Sequence, residues 1–478
     1  MVKILEVSAL NALEKDEELL KFRFSYDGIL MWPFIRWHVL QSALDKMFSL
    51  SSPHPQAKNL SIANILKYGF MTIKNNPYKQ DAGKRGIVIF STGIVNIKVQ
   101  NDGYFNRMYD HFASLYPDNT TIIEDTVGRE YLTPRIFKNV IYHDYILAMA
   151  SAKGRFLPLN RKDESTISNF LVFLRRTFPY DLSDQIWEGA RKILSNASWK
   201  MVFLHQYYIK LFRKLEPKLL VVEDGCYGSR SYLFKWAKEW GIKTCEMQER
   251  KKKKNHPAYN FGDCFLGREF RNYLPEYFLS YGDYWNQQVS LPCDIVTIGN
   301  PYLTESVKSK VRDTPQADLC KTVLIISGGT VPELILTIVK KLRSGLDPRS
   351  FRIIFRPHPA EVSLCEARYG ILKEYDVSFD YGDLYDSLIR SDFLISAEFS
   401  TVLFEALTLG IDVYLLRSDL NEYYLGETGL FNFFFDTDHA VDQIKSGSGK
   451  KIIDKNNFWD PNWKDNYRNF LIKTIGLS

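Results

Sequence analysis

Four short stretches of the chain carry side chains suited to chemistry, and each sits at the end of an apolar run that reads as a buried strand. Glu223-Asp224-Gly225 follows the run at 219–222. A carboxylate at a strand end, ahead of a glycine turn, can serve as general base toward a hydroxyl. The same residues can equally cap the next helix. Arg356-Pro357-His358-Pro359 follows 352–355. Two prolines restrict the backbone around the imidazole. A protonated ring there can donate to a leaving phosphate, and Arg356 can add charge. His54-Pro55 and His256-Pro257 repeat the dipeptide, so the strand before His358 is what sets it apart.

Ser400-Thr401 opens a helix predicted over 402–409. Hydroxyls and free backbone N–H groups at a helix N-terminus form an anion site, although a plain N-cap uses the same residues. Ser327-Gly328-Gly329-Thr330 is a similar strand-to-helix loop, where glycine lets a phosphate approach the backbone. It lacks the GK[ST] ending of a Walker loop. Pro359 and Glu398 join the donor-binding candidates, and Asp102, Tyr104 and Arg107 are assigned to the acceptor side.

These residues need a scaffold that turns strand ends toward a common cleft. Apolar runs at 86–90, 121–123 and 219–222 alternate with helical patterns such as 229–240. A second series runs 323–326, 352–355, 393–395 and 413–416. Alternating strands and helices predict parallel sheets covered on both faces. The expectation is an α/β architecture: two Rossmann-like, doubly wound domains facing a central cleft. Boundaries are placed at 1–305, with a helical N-terminal elaboration, 306–445, and a helical tail at 446–478 that packs back on the first domain. The hinge is expected near Ile298-Gly299-Asn300-Pro301.

With 478 residues, 45% of them hydrophobic, the chain can bury two cores. The net charge of +6 is mild for this length and fits small anionic ligands or an anionic membrane surface better than nucleic acid. Six cysteines show no CxxC spacing and read as reduced thiols. No compact Cys/His cluster is present, so no metal site is expected. The N-terminus lacks the apolar core of a signal peptide, and no run has the length of a spanning helix. The expected location is cytoplasmic, with peripheral contact at the inner membrane. The lysine run at 251–254 is a solvated loop or a contact for anionic lipid.

An acidic-acidic-Gly motif, a later HP motif after a strand, and a final Ser-Thr motif, in that order over about 220–416, resemble the three signatures of bacterial sialyltransferases. Those enzymes have the GT-B fold and use CMP-activated sialic acid; related capsule and lipopolysaccharide enzymes use CMP-activated relatives such as Kdo. The resemblance implies an inverting, metal-independent glycosyltransferase without a cofactor. It would move a nonulosonate or Kdo from a CMP donor to a hydroxyl of a bacterial surface glycan or glycolipid. It makes one acid of Glu223–Asp224 the general base, His358 the general acid or phosphate partner, and Ser400 and Thr401 phosphate binders. Related surface-polysaccharide enzymes carry a Gln-His-Gly turn where this chain has Gln248-Glu249-Arg250. The alternatives are a nucleotide-sugar 2-epimerase, a polyol-phosphate transferase on the same fold, or a glycan-binding protein without activity.

Overall fold

A computed structural model describes residues 11–50, 61–80, 83–99, 103–156, 161–249, 255–262, 267, 269–309, 320–425, 429–447 and 454–477. Strands β1 (Ile87–Thr92), β4 (Thr120–Asp125), β5 (Val140–Tyr142), β6 (Leu219–Val222), β7 (Lys243–Met247), β8 (Tyr277–Ser280) and β9 (Asp294–Thr297) form one parallel sheet. Its order is β5-β4-β1-β6-β7-β8-β9. A small antiparallel hairpin, β2 (Asn96–Val99) with β3 (Gly103–Asn106), rises from the end of β1. The second parallel sheet contains β10 (Lys321–Ile326), β11 (Phe351–Arg356), β12 (Val377–Phe379), β13 (Phe393–Ser396), β14 (Asp412–Leu416) and β15 (Asn432–Phe434), ordered β12-β11-β10-β13-β14-β15. The chain therefore has two Rossmann-like α/β domains, the GT-B type of fold that its sequence predicts.

The central strands are continuous apolar runs because helices cover both faces of each sheet. Leu219–Val222 and Phe393–Ser396 are buried along their whole length. Strands β5, β7, β8, β9, β12 and β15 are absent from the sequence reading. They are short or interleave polar residues, as KTCEM does inside the sheet and DIVT at its edge. The first sheet ends at Thr297, the helix Pro301–Ser309 follows, and the second sheet begins at Lys321. The last helix, Trp463–Ile475, packs Trp463, Tyr467, Phe470 and Leu471 against Ile87, Ile89 and Tyr109 of the first domain.

In both sheets the first strand has neighbours that were added in opposite directions. This makes β1/β6 and β10/β13 the topological switch points, where the carboxyl ends of open α/β sheets leave a crevice. The loop after β6 is clamped from the N-terminal side. Gly228 adopts φ +99°, and a Cβ there would lie 1.8 Å from the Pro33 carbonyl oxygen of the helix Trp32–Met47. Backbone, not a movable side chain, occupies that space. Gly228→Ala is expected to cost about 2–4 kcal/mol in urea unfolding, from a strained φ plus a displaced helix.

Candidate functional site

At the first switch point, β1 and β6 run in register from Ile87↔Leu219 to Phe90↔Val222, so their next residues emerge side by side. Glu223, buried, accepts three hydrogen bonds from the end of β1. Ser91 Oγ donates at 2.8 Å, Thr92 N at 2.9 Å and Thr92 Oγ1 at 2.7 Å. This acid joins two strand ends. Asp224 then turns into the left-handed region, at φ 57° and ψ 23°, which Asp tolerates better than most residues. Its Oδ1 is buried and has no hydrogen-bond partner among the described residues.

The turn rests on Glu246 of β7. Its carboxylate accepts from Cys226 N at 2.7 Å and from the Tyr259 hydroxyl at 2.8 Å. Gly225 must be glycine because a Cβ would meet the Phe234 ring at 2.4 Å. After β7, Gln248 is fully buried and accepts from Tyr281 N at 3.0 Å. That anchor delivers Glu249 to the acidic turn.

Glu223, Asp224 and Glu249 each bring a carboxylate oxygen within 4.8 Å of the others. The sequence reading expects no metal-ligand cluster and misses Glu249; the fold assembles these three acids from two separate strand ends. Burial first, and the charge of Glu249 second, push Glu223 and Asp224 well above the ordinary carboxylate range. With Glu249 so close, the pair favours holding a proton in common. Opposite charge comes from Arg230, which attracts Glu223 while bonded to Asp125 at the end of β4.

At the second switch point, the ends of β11, β10 and β13 lie adjacent, with Ile326 paired to Arg356 and to Ser396. His358 is exposed and starts a 3-10 turn. Its Nδ1 accepts from Ala360 N at 3.2 Å, and its own N–H donates to Glu361 at 3.2 Å. With Nδ1 an acceptor, the neutral ring carries its proton on Nε2. Pro359 is the first residue of that turn. Ser400 caps the helix Thr401–Thr408, accepting a long 3.4 Å bond from Val402 N, and both Ser400 and Thr401 are half-buried.

Other donor-side candidates turn inward. Ser327 Oγ donates to Glu361 at 2.6 Å, and the Thr330 hydroxyl donates to Glu398. Gly328 has no Cβ, and one would lie 2.5 Å from the Glu398 carboxylate. Glu398 therefore ties the β10 loop to the β13 loop across the switch point. Arg356 donates to Ser387 Oγ at 3.0 Å and Gly382 O at 2.7 Å, away from His358. In the structure these four side chains hold loops in place. Asn421, which the sequence reading passes over, is fully buried and bonds to Phe399 N, Ala397 O and Leu416 O, fixing the loop ahead of Ser400.

Arg107, exposed, carries its charge from the first domain toward Glu405 of the second. Glu405 sits one helical turn after Thr401, is 8% exposed, and is pushed up to about 7 by burial, with Arg107 opposing. Its Oε2 has no hydrogen-bond partner among the described residues. Tyr104 lies in β3, where its carbonyl accepts from Arg135. Asp102, Arg250 and the lysine run at 251–254 lie outside the described residues.

No family model and no curated protein matches the chain. Among solved structures it is similar to S. aureus MnaA with UDP, at 14% identity and TM-score 0.41 over 83% of this chain and 98% of that one. It is also similar to the spinosyn rhamnosyltransferase SpnG with spinosyn aglycone, at 14% and 0.40 over 82% and 100%. A putative UDP-N-acetylglucosamine 2-epimerase from Listeria monocytogenes gives 10% and 0.42 over 83% and 98%.

Acids with raised folded values bind more protons folded than unfolded. Their stability contribution is complete below the ordinary value near 4 and declines as pH rises through the raised one. Melting temperature is thus expected to fall from weakly acidic to alkaline pH. Glu249→Gln should flatten that slope and raise the melting temperature by a few degrees at about pH 8; a steeper slope in the variant refutes the cluster's electrostatics.

Proposed function

We propose that the protein is an inverting glycosyltransferase that moves a sialic acid-like ulosonic acid from a CMP-activated donor to a hydroxyl of a bacterial surface glycan or glycolipid. One observation carries the reading. Two switch-point crevices belong to domains that pack together at Trp285 and Phe404; one offers a carboxylate with an oxygen that has no hydrogen-bond partner among the described residues, the other a ring N–H and a helix N-terminus. The first suits an acceptor that must lose a proton, the second a departing phosphate. The choice of CMP and of an ulosonic acid rests on the ordered motif resemblance to sialyltransferases.

Within the acidic pair, Asp224 is the base of this mechanism and Glu223 its support. Glu223 spends its oxygens on Ser91 and Thr92. Asp224 keeps one oxygen without a partner among the described residues. Burial and Glu249 push its carboxyl up to about 9, so it acts as base in the fraction of molecules where the pair has lost its proton, a fraction that grows as pH rises. The acceptor oxygen attacks the donor's anomeric carbon and its proton passes to Asp224. The bond from that carbon to the CMP phosphate oxygen breaks, and the electron pair leaves with the phosphate. His358, through Nε2–H, and the Ser400-Thr401 terminus stabilise the departing charge. No cofactor enters this scheme. Glu249 stands where the resemblance puts a histidine, so a carboxyl group replaces an imidazole there. The three-acid cluster favours one variant of the scheme, in which a divalent cation takes the place of the shared proton.

Asp224→Asn and His358→Ala are each expected to lower turnover by about 100- to 10,000-fold. The His358 variant should recover part of its rate with a better leaving group, and the Asp224 variant should not. Ser400→Ala with Thr401→Ala should weaken CMP binding by about 1–3 kcal/mol. A thermal-shift panel of nucleotides decides the donor. Stabilisation by CMP supports the proposal; by UDP, an epimerase; by a CDP-polyol, a polyol-phosphate transferase; by none, a glycan-binding protein. Loss of activity in EDTA would replace the shared proton with a cation.

A further inference from the structure

The helix Ile62–Lys74 breaks the rule by which surface helices bury their apolar side. Ile62, Ile65, Leu66, Phe70 and Ile73 follow the spacing i, i+3, i+4, i+8, i+11, which gathers them on one face. That face points to solvent: Ile62, Leu66, Phe70 and Ile73 are each 66–78% exposed. The inward side is polar. The Tyr68 hydroxyl donates to Asp144 at 2.8 Å, and buried Thr72 accepts from the Tyr131 hydroxyl at 2.9 Å. Those bonds fix the rotation of the helix, so the apolar face is held outward.

Charge selects what covers it. The helix contains no acid, and its two cations, Lys67 and Lys74, are exposed and flank the apolar face on the Phe70 side. Large apolar residues with lysine at the border and no carboxylate make the pattern of a helix lying in a membrane interface. Lysines there reach anionic headgroups while their stems cover apolar surface. No helix among the described residues is long and apolar enough to cross a membrane.

We infer that the helix Ile62–Lys74 docks the protein on an anionic lipid bilayer, with Ile62, Leu66, Phe70 and Ile73 inserted and Lys67 and Lys74 on the headgroups. Its position gives the docking a direction. Asp144, which accepts from Tyr68, also accepts from Thr126 Oγ1, one residue beyond the carboxyl end of β4. The helix therefore sits at the same end of the first sheet as Glu223 and Asp224. If the acceptor is a glycolipid, as proposed above, its head would meet the acidic crevice from the membrane side. The docking itself stands without that reading.

The test is co-sedimentation of the full chain with phosphatidylethanolamine vesicles containing phosphatidylglycerol, against vesicles of phosphatidylcholine alone. Wild type is expected on the anionic vesicles. Leu66→Glu with Phe70→Glu should lower binding about 100-fold or more. Lys67→Gln with Lys74→Gln should lower it about 10-fold or more, and added salt should mimic that loss. All these side chains face solvent, so the variants should melt like wild type. A lower melting temperature for the Leu66/Phe70 variant would show that the chain itself covers the face and overturns the proposal. So would absence of vesicle binding by wild type, or self-association or capture of a protein partner through this face in its place. Nucleotide binding is measured alongside: CMP binding lost with docking intact would sink the donor assignment alone.

Discussion

Trp285 decides how the two halves of the candidate site meet. It is fully buried at the seam, its ring 4.8 Å from Phe404 of the second domain, and its indole N–H donates to the Phe458 carbonyl at 2.8 Å. Tyr284 packs tilted against Phe458 from the first domain, and Phe404 touches Phe458 from the second. The segment after the second sheet thus returns to lie between the domains. Gly282 and Gly299 let its backbone come close: a Cβ on Gly282 would lie 2.6 Å from Asn457 O, and one on Gly299 2.3 Å from Asp460 O. Phe404 directly precedes Glu405, so the same packing that joins the domains sets the depth of Glu405 opposite Arg107. Aromatic contacts of this kind are dense and short-ranged. The joint fixes the approach of the two crevices at their base and leaves their mouths to polar groups.

The acidic turn works by contrast between two neighbouring acids. Glu223 is desolvated but hydrogen-bonded to groups at the end of β1, which compensates part of the cost of burying it. Asp224 is desolvated without that compensation on Oδ1, and it meets Glu249. Two acids adjacent in the chain therefore differ: one is mortar between strands, the other keeps an oxygen without a hydrogen-bond partner among the described residues. Backbone geometry enforces the difference. The left-handed turn at Asp224 rotates its side chain off the axis of β6, and Gly225 and Gly228 leave no room for the loop to relax toward Phe234 or Pro33.

Much of this was legible in the sequence where a strand is buried on both faces. The runs before Glu223, Ser327, His358 and Ser396 are strands, and the residues after them lie at carboxyl ends, because continuous apolar segments have few other places to go. The role of each polar residue was not legible, since it depends on partners distant in the chain. Arg356 reads as a charge beside His358 but pairs with the loop at 380–387. Glu398 reads as a donor contact but bonds to Thr330 under the neighbouring loop. Glu249 drew notice only as a departure from a Gln-His-Gly turn. Its place beside Asp224 depends on Gln248 locking to Tyr281, a contact that no local pattern announces. Asn421 shows the same limit: a residue with three backbone partners is invisible until those partners are brought together.

Position ties these parts into one arrangement. Asp224 in the first domain and His358 with Ser400 in the second stand at the carboxyl ends of their sheets. In the first domain that same end carries the helix Ile62–Lys74, roped to the strand β4 by Asp144 through Tyr68 and Thr126. A membrane docked on that helix would face the carboxyl-end crevice of the first sheet and not its back. The crevice of the second domain belongs to a separate sheet, joined to the first through Trp285. Under the proposed function the substrates differ in solubility, one held in a lipid plane and one free in water; two sheets, each with its own switch point, give each substrate a separate crevice, which a single doubly wound sheet with one switch point does not.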